Sequence, residues 1–196
     1  MILQYLQLIQ PAVYEGNKSR GFWEKGLDEN KGERVMLIIT ELAEAVEAHR
    51  KNNLYALNVH QRNIVDYLNG STVSDNPGLS WEAIFKRNVK DTVEDEIADA
   101  VIRILDYTGG FNIELRDSEY RRESTGNFAY DVLKLTNLCH SAFLTDTCGQ
   151  SVGKDWSYVI AAIIKFCEWY NIDLMQHVQW KLKYNATREH KHGKKY

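Results

Sequence analysis

Residues 33–51 read ERVMLIITELAEAVEAHRK, and their pattern decides the fold. Apolar side chains recur there at i, i+3, i+4 and i+7, the spacing that lines residues up along one face of an α-helix. The residues on this apolar face are Val35, Ile38, Ile39, Leu42, Ala45 and Val46. The stretch therefore predicts an amphipathic helix, with Glu41 and Glu44 lying beside its apolar face.

A second helix is predicted to begin after Thr92. Thr92-x-x-Asp95 has the form of a capping box, in which the two side chains accept hydrogen bonds from backbone N–H groups of the first turn. The residues that share one face of this helix are Ile97, Val101, Ile104, Leu105 and Thr108. Gly109-Gly110 is predicted to end it, because glycine readily adopts the conformation that terminates helices.

The rest of the chain also favours helices, since no stretch alternates apolar and polar residues between tight turns as a hairpin would. Helical patterns cover about residues 80–88, 128–146, 156–170 and 174–188. Asp155 and Asp173 are predicted N-caps for the last two. A long polar connection containing Asp75-Asn76-Pro77-Gly78 separates the two acidic helices, and connections of this length are often lids or binding loops. We predict one all-α domain over residues 1–196, a bundle of about five to seven helices.

The composition narrows the classes of function. The 196 residues carry a formal net charge of -3, which argues against a surface built to bind nucleic acid. Three cysteines without C-x-x-C spacing predict reduced thiols rather than a disulfide framework or a zinc site. The longest apolar run, residues 159–164, is far shorter than the roughly 20 residues of a membrane span, and the N-terminus lacks the features of a signal peptide. We therefore expect a cytoplasmic protein with no membrane or nucleic-acid partner.

The two halves of the chain share a weak internal similarity. Residues 39–45, ITELAEA, resemble residues 135–141, LTNLCHS. A degenerate duplication would make residues 1–110 an acidic, metal-binding half and residues 111–196 a second half that has lost its carboxylates and ends in a basic helix. The alternative is a chance match, because any two amphipathic helices share such a pattern.

Two pairs of carboxylates are the strongest chemical signal in the sequence. Glu41-x-x-Glu44 and Glu96-x-x-Asp99 each place two acids on one side of a helix. Two carboxylates about 5 Å apart repel by about 3 kcal/mol at an effective dielectric constant of about 20, so a converged set requires a cation. Oxygen ligands without Cys or His select a hard ion, Mg²⁺ or Mn²⁺. The alternative is that each pair belongs to a solvated helix face.

Other acids on the same two helices are interpreted as surface or capping residues, with a role as metal ligands as the alternative. These acids are Glu47, Glu94, Asp95 and Asp106. Glu94 and Asp95 fall in the first turn of the second helix, where a negative charge interacts favourably with the helix dipole. The prediction therefore assigns the metal first to the two spaced pairs.

Four motifs follow one another along the chain. They are Gly21-Phe22-Trp23, LIITELAEA at residues 37–45, EDEIAD at residues 94–99, and Lys181-x-x-x-Asn185-x-x-Arg188 followed by HGKK at residues 192–195. In this order they resemble the MazG-like all-α nucleoside triphosphate pyrophosphohydrolases. The resemblance covers about residues 14–110 and 171–196, and residues 111–170 are not part of the pattern.

The resemblance implies a Mg²⁺-dependent hydrolase that converts a nucleoside triphosphate to the monophosphate and pyrophosphate, often to clear unwanted nucleotides. By the same resemblance, the metal ligands are Glu41, Glu44, Glu96 and Asp99, and the residues facing the phosphates are Lys181, Asn185 and Arg188. Family members often carry a second Glu where this chain has Thr40, which leaves the number of metal ions open. They commonly assemble as dimers or tetramers, so we expect a homo-oligomer unless the second half of this chain replaces a partner subunit.

The residues themselves suggest further roles at such a site. Glu44 is a candidate general base, in place of or beside its role as a ligand. Lys181 shares one helix face with Asn185 and Arg188, so these side chains can offer N–H donors to phosphate oxygens. The alternative for that face is a basic helix end that interacts with its own dipole.

Phe22 and Trp23, just before the first acidic helix, are candidates for stacking on a nucleobase, and Trp23 is the better of the two. The alternative for both residues is core packing, because aromatic side chains usually fill cores.

Two other classes of protein compete with this interpretation. A di-iron carboxylate bundle needs Glu-x-x-His on two helices, and this chain has only Glu189-x-x-His192. A non-catalytic nucleotide- or partner-binding module is the second alternative. Residues 181–196 are rich in lysine and arginine and could bind nucleic acid or a protein partner. Metal-dependent turnover distinguishes the enzyme from this module.

Overall fold

A computed structural model describes residues 2–24, 31–55, 80–148 and 155–188. These residues form seven helices and no strand, which confirms the all-α prediction. The helices are α1 (Ile2–Ser19), α2 (Lys31–Arg50), α3 (Trp81–Asn88), α4 (Val93–Gly110), α5 (Phe128–Cys148), α6 (Trp156–Trp169) and α7 (Leu174–Asn185). The predicted turn at residues 75–78 and the motif at residues 192–195 lie outside the described residues, as does the Glu189-x-x-His192 pair.

Helix α4 is the centre of the bundle. It packs along α2 and α1 on two sides, and α7 and α6 also contact it. Its apolar residues Ile97, Val101, Ile104 and Leu105 are all fully buried in the main core. A helix covered from several directions has no wide solvent face, so its polar residues must find partners inside the protein.

This burial corrects the interpretation of two acids, Glu94 and Asp106, as surface or capping residues. Glu94, Asp95 and Asp106 are all buried in the structure, although Asp95 also takes part in the cap of α4. The interpretation was wrong for Glu94 and Asp106 because it assumed a single apolar face on α4, and it is confirmed for Asp95, whose carboxylate accepts a hydrogen bond from the backbone N–H of Asp91. Glu47 is exposed as predicted, and it pairs with Arg50 and Lys51 on the surface of α2.

The predicted helix N-termini are confirmed by their caps. The side chains of Ser80, Thr92, Asp155 and Asp173 each accept a hydrogen bond from a backbone N–H in the first turn of α3, α4, α6 and α7. These bonds satisfy donors that have no partner within the helix. The Asp95 carboxylate accepts from the backbone N–H of Asp91, one residue before the position that a capping box requires.

Helix α1 was not singled out by the sequence pattern, yet it forms a full helix against α4. Leu6 and Val13 are its buried apolar residues. It can approach closely because α4 ends in two glycines. A Cβ atom at Gly109 would lie 2.8 Å from Cβ of Tyr14, which is closer than two carbon atoms can approach in a packed interior.

The remaining helices complete the bundle. Helices α5 and α6 pack on each other and join the main core against α2 and α4. Helices α3 and α7 enclose a smaller aromatic cluster, which consists of Tyr55, Trp81, Phe85, Val89, Trp180 and Tyr184. Cys139 and Cys167 are buried free thiols, as predicted. Within the described ranges, every helix is too short or too polar to cross a bilayer.

Candidate metal centre

Three carboxylates from two helices converge where α2 packs along α4. Glu41 and Glu44 come from α2 and Glu96 comes from α4, and each offers one oxygen that lies within 4.8 Å of the other two. The i, i+3 spacing places both α2 acids on the same side of that helix, and the packing of α2 on α4 brings Glu96 to meet them. Sequence reasoning named all three residues, and the structure brings them together.

The donor set suits a hard divalent cation. Mg²⁺ binds oxygen at about 2.1 Å, so neighbouring oxygens around an octahedral ion stand about 3 Å apart and opposite ones about 4 Å apart. The three carboxylate oxygens lie within 4.8 Å of one another, which is close to this spacing. All three donors are carboxylates, which favours Mg²⁺ or Mn²⁺ over softer metals.

The environment of Glu96 is a second observation that points to a ligand site. Its residue is only 5 % exposed, and its carboxylate makes no hydrogen bond or ion pair with any residue that the structure describes. Burial raises the pKa of Glu96 to about 9, and the negative charges of Asp95, Asp99 and Glu41 act in the same direction. A buried carboxylate without a partner is costly when ionised, and a bound cation would remove that cost.

Glu41 is held in place by an arginine. Nε of Arg103 donates a hydrogen bond to Oε1 of Glu41, and the glutamate is itself buried. Burial raises the pKa of Glu41, and Arg103 opposes this rise by favouring the charged carboxylate. Sequence reasoning missed Arg103, although its i+7 spacing from Glu96 placed it two turns along the same side of α4.

Glu44 is the exposed member of the group. It lies one helical turn after Glu41, on the solvent side of the three converging carboxylates. Its position therefore leaves it accessible to a substrate, whereas Glu41 and Glu96 are enclosed by protein.

Asp99, the fourth predicted ligand, has a different partner. It does not belong to the converging group, and its Oδ2 lies 2.8 Å from Nζ of Lys181. The same ammonium group donates to both carboxylate oxygens of Asp95, at 2.9 and 2.8 Å. Lys181 is thus buried between two aspartates. Burial alone would lower the pKa of Lys181, but the two carboxylates outweigh it and hold the pKa above its usual value.

The other two residues of the C-terminal motif lie farther along α7 and just beyond it. Asn185 is the last residue of α7 and is buried, and its Oδ1 has no hydrogen-bond partner among the described residues. Arg188 follows the helix, three residues past its end, and its guanidinium lies 5.6 Å from the ring centroid of Tyr184. The predicted helix therefore ends earlier than the sequence pattern indicated.

Trp23 is partly buried and contacts three side chains of the protein. The guanidinium of Arg34 lies 3.3 Å from its ring centroid, and the rings of Tyr14 and Phe111 meet it edge to face. Phe22 is anchored by its backbone carbonyl, which accepts a hydrogen bond from Arg34. Stacking of a nucleobase on the Trp23 face under Arg34 would require Arg34 to move.

Comparison with protein families, with curated proteins and with solved structures finds no match to this chain.

Proposed function

We propose that this chain is a Mg²⁺-dependent hydrolase that cleaves a (deoxy)nucleoside triphosphate to the monophosphate and pyrophosphate, in the cytoplasm. One observation carries the proposal: Glu96, a buried carboxylate with no partner among the described residues, meets two other carboxylates at a spacing that suits a hard cation. The motif resemblance supplies the substrate class. Removal of unwanted nucleotides is the proposed purpose, and assembly as a homodimer or homotetramer is part of the same proposal.

The metal would be held by Glu41, Glu44 and Glu96, with Asp99 beside them. When bound, Mg²⁺ neutralises phosphate charge and lowers the pKa of a water molecule. Arg103 keeps Glu41 oriented, since it fixes one carboxylate oxygen by a hydrogen bond. Glu44, at the exposed edge, is the proposed general base that accepts the proton of the attacking water at its carboxylate.

The residues of the C-terminal motif, Lys181, Asn185 and Arg188, are proposed to face the triphosphate. Helix α7 packs along α4, so it carries its motif to the same helix that bears Glu96. The amide of Asn185 and the guanidinium of Arg188 can donate to phosphate oxygens. Lys181 contributes its positive charge from between Asp95 and Asp99.

The test is release of pyrophosphate and orthophosphate from a panel of ribo- and deoxyribonucleoside triphosphates with Mg²⁺. We expect the wild type to release pyrophosphate, and Glu44→Gln and Glu96→Gln to lose activity by about 100-fold or more. Glu47→Gln is the matched control, because Glu47 lies on α2 but faces solvent. Circular dichroism checks that each variant is folded.

Two results would contradict the proposal. Orthophosphate in place of pyrophosphate would mean that a different phosphate bond is cleaved. An absence of turnover on every triphosphate would favour the non-catalytic binding module. Light scattering tests the proposed oligomer independently, and a monomer would remove that part of the proposal.

A further inference from the structure

The Lys181 ammonium makes three short contacts with carboxylate oxygens of the protein. A lysine ammonium has three N–H groups and no acceptor. Its three short contacts go to Oδ1 of Asp95 at 2.9 Å, to Oδ2 of Asp95 at 2.8 Å and to Oδ2 of Asp99 at 2.8 Å. Two of these contacts are hydrogen bonds to Asp95 and the third is an ion pair with Asp99, so the ammonium is directed at the two aspartates.

The arrangement is enclosed and anchored. Lys181 is 4 % exposed and Asp95 is 1 % exposed, so water cannot replace either partner. Asp95 also accepts a hydrogen bond from the backbone N–H of Asp91, at the N-terminus of α4. The positive end of the helix dipole adds to the stabilisation of this carboxylate. The ring of Phe85 also covers the ammonium, whose Nζ lies 5.5 Å from the ring centroid.

The charges around Glu96 and Lys181 form two neighbouring groups, which differ in the cation that they contact. Glu41, Glu44 and Glu96 face one guanidinium, that of Arg103, and this group keeps two negative charges when fully ionised. One divalent cation neutralises them. Asp95 and Asp99 face Lys181, and this second group keeps one negative charge beside a helix N-terminus. A second divalent cation would have to displace Lys181 or bind close to its positive charge, which would repel it.

We infer that Lys181 is a built-in counter-cation that occupies the place of a second metal ion, so that the acidic centre binds one divalent cation through Glu41, Glu44 and Glu96. Asp99 is then a partner of Lys181 and not a metal ligand. Lys181 is a positioning residue, and Asn185 and Arg188 are left to contact the phosphates. The inference rests on the metal site of the proposed function and answers the question of metal number that the motifs leave open.

The test measures how many Mn²⁺ ions the full chain binds in the absence of nucleotide, by electron paramagnetic resonance and isothermal titration calorimetry. We expect one ion per chain in the wild type. Lys181→Met removes the ammonium but keeps the length of the side chain, and we expect it to bind two ions. The matched control is the triple variant K181M/D95N/D99N, which removes the whole ion-paired group and should again bind one.

A second variant keeps the inference testable if Lys181→Met does not fold. Asp99→Asn should still bind one Mn²⁺ with an affinity within about threefold of the wild type, while Glu96→Gln should lose at least about tenfold. Two Mn²⁺ ions on the wild type would overturn the inference. So would a single ion on a folded Lys181→Met protein, or a loss of affinity in Asp99→Asn equal to that in Glu96→Gln.

These outcomes are separate from the test of the proposed function. A wild type that hydrolyses triphosphates but binds two Mn²⁺ ions overturns the inference and supports the enzyme. A wild type that binds one Mn²⁺, gains a second in Lys181→Met and hydrolyses no triphosphate supports the inference and overturns the enzyme.

Discussion

The indole Nε1 of Trp23 donates a hydrogen bond of 2.9 Å to Oδ1 of Asp106. The other oxygen of the same carboxylate accepts a hydrogen bond from Arg34, whose guanidinium covers the indole ring. The three side chains come from the turn after α1, from α4 and from α2, so this contact ties the three helices together. It also explains why a buried aspartate is tolerated near the C-terminal end of α4, since both of its oxygens have a donor.

Replacement of Gly110 should disrupt this contact. A Cβ atom there would lie 2.0 Å from Cη2 of Trp23, so Gly110→Ala must push the indole away from Asp106. We expect a loss of about 1–3 kcal/mol in the free energy of unfolding, measured by urea denaturation. Gly32→Ala is the control, because a Cβ atom at Gly32 has no atom within 4 Å and alanine favours the helix by up to about 1 kcal/mol. Equal stability of the two variants would contradict the predicted clash.

Asp131 is predicted to be a stabilising carboxylate of the second half. Burial alone would raise its pKa, but hydrogen bonds from Ser124, Lys134, Thr125 and Tyr170 outweigh this effect and hold the pKa of Asp131 well below its usual value. A depressed pKa means that its stabilisation is present above the unfolded value of 3.8 and is lost as the pH falls below it.

We therefore expect Asp131→Asn to lower the free energy of unfolding at pH 7 by about 2–4 kcal/mol, since several donors lose a charged acceptor. The variant should also show a weaker loss of stability in acid than the wild type. Asp117→Asn, at an exposed position, is the control and should change the stability by less than about 0.5 kcal/mol. An Asp131→Asn protein as stable as the control would show that these hydrogen bonds contribute little.

His177 should make the aromatic cluster sensitive to acid. It is buried between Tyr55 and Trp180, with ring centroids 5.0 and 5.2 Å away, and burial lowers the pKa of His177 to about 4. The folded protein keeps the imidazole neutral while the unfolded chain takes up a proton below about pH 6.5. Stability is then lost as the pH falls from 6.5 towards 4, by an amount on the order of 3 kcal/mol.

The measurement is the unfolding free energy between pH 4 and 7 for the wild type and for His177→Gln. The variant cannot titrate at this position, so its pH dependence should be shallower. His140→Gln replaces an exposed histidine and should keep the slope of the wild type. Parallel curves for all three proteins would mean that His177 is protonated in the folded state as readily as in the unfolded chain.

Metal binding should release a proton from the Glu96 carboxyl group. Its pKa is about 9 in the folded protein and 4.5 in the unfolded chain, so the metal-free fold retains a proton that the unfolded chain releases. The resulting stability is fully present below pH 4.5 and is lost as the pH rises towards 9. Added Mg²⁺ should reverse this loss, because the cation replaces the proton on the carboxylate.

Calorimetry of Mn²⁺ binding at pH 7.5, in buffers with different ionisation enthalpies, should therefore detect the release of about one proton per ion. Glu96→Gln should bind the ion more weakly and release fewer protons. Glu47→Gln, the exposed control on α2, should behave as the wild type. Binding without proton release would mean that Glu96 is already ionised in the metal-free protein.

Much of the fold and of the metal centre could be predicted because it depends on local spacing. The apolar face of α2, the caps of α4, α6 and α7, and the shared side of Glu41 and Glu44 follow from periodicity and from side chains three or four residues apart. Each of these features is determined within one helix, or by the packing of two amphipathic helices through their apolar faces.

The partners of the buried charges could not be predicted in the same way. The sequence by itself determined that α2 and α4 carry acids at a helical spacing, but the packing of α1, α2 and α7 around α4 decided that Asp95 and Asp106 are buried. The same packing paired Asp99 with Lys181 and placed Arg34 over the ring of Trp23. Helical periodicity is a property of neighbouring residues, whereas the burial and ion pairing of a charge depend on which distant helix covers it and at what angle.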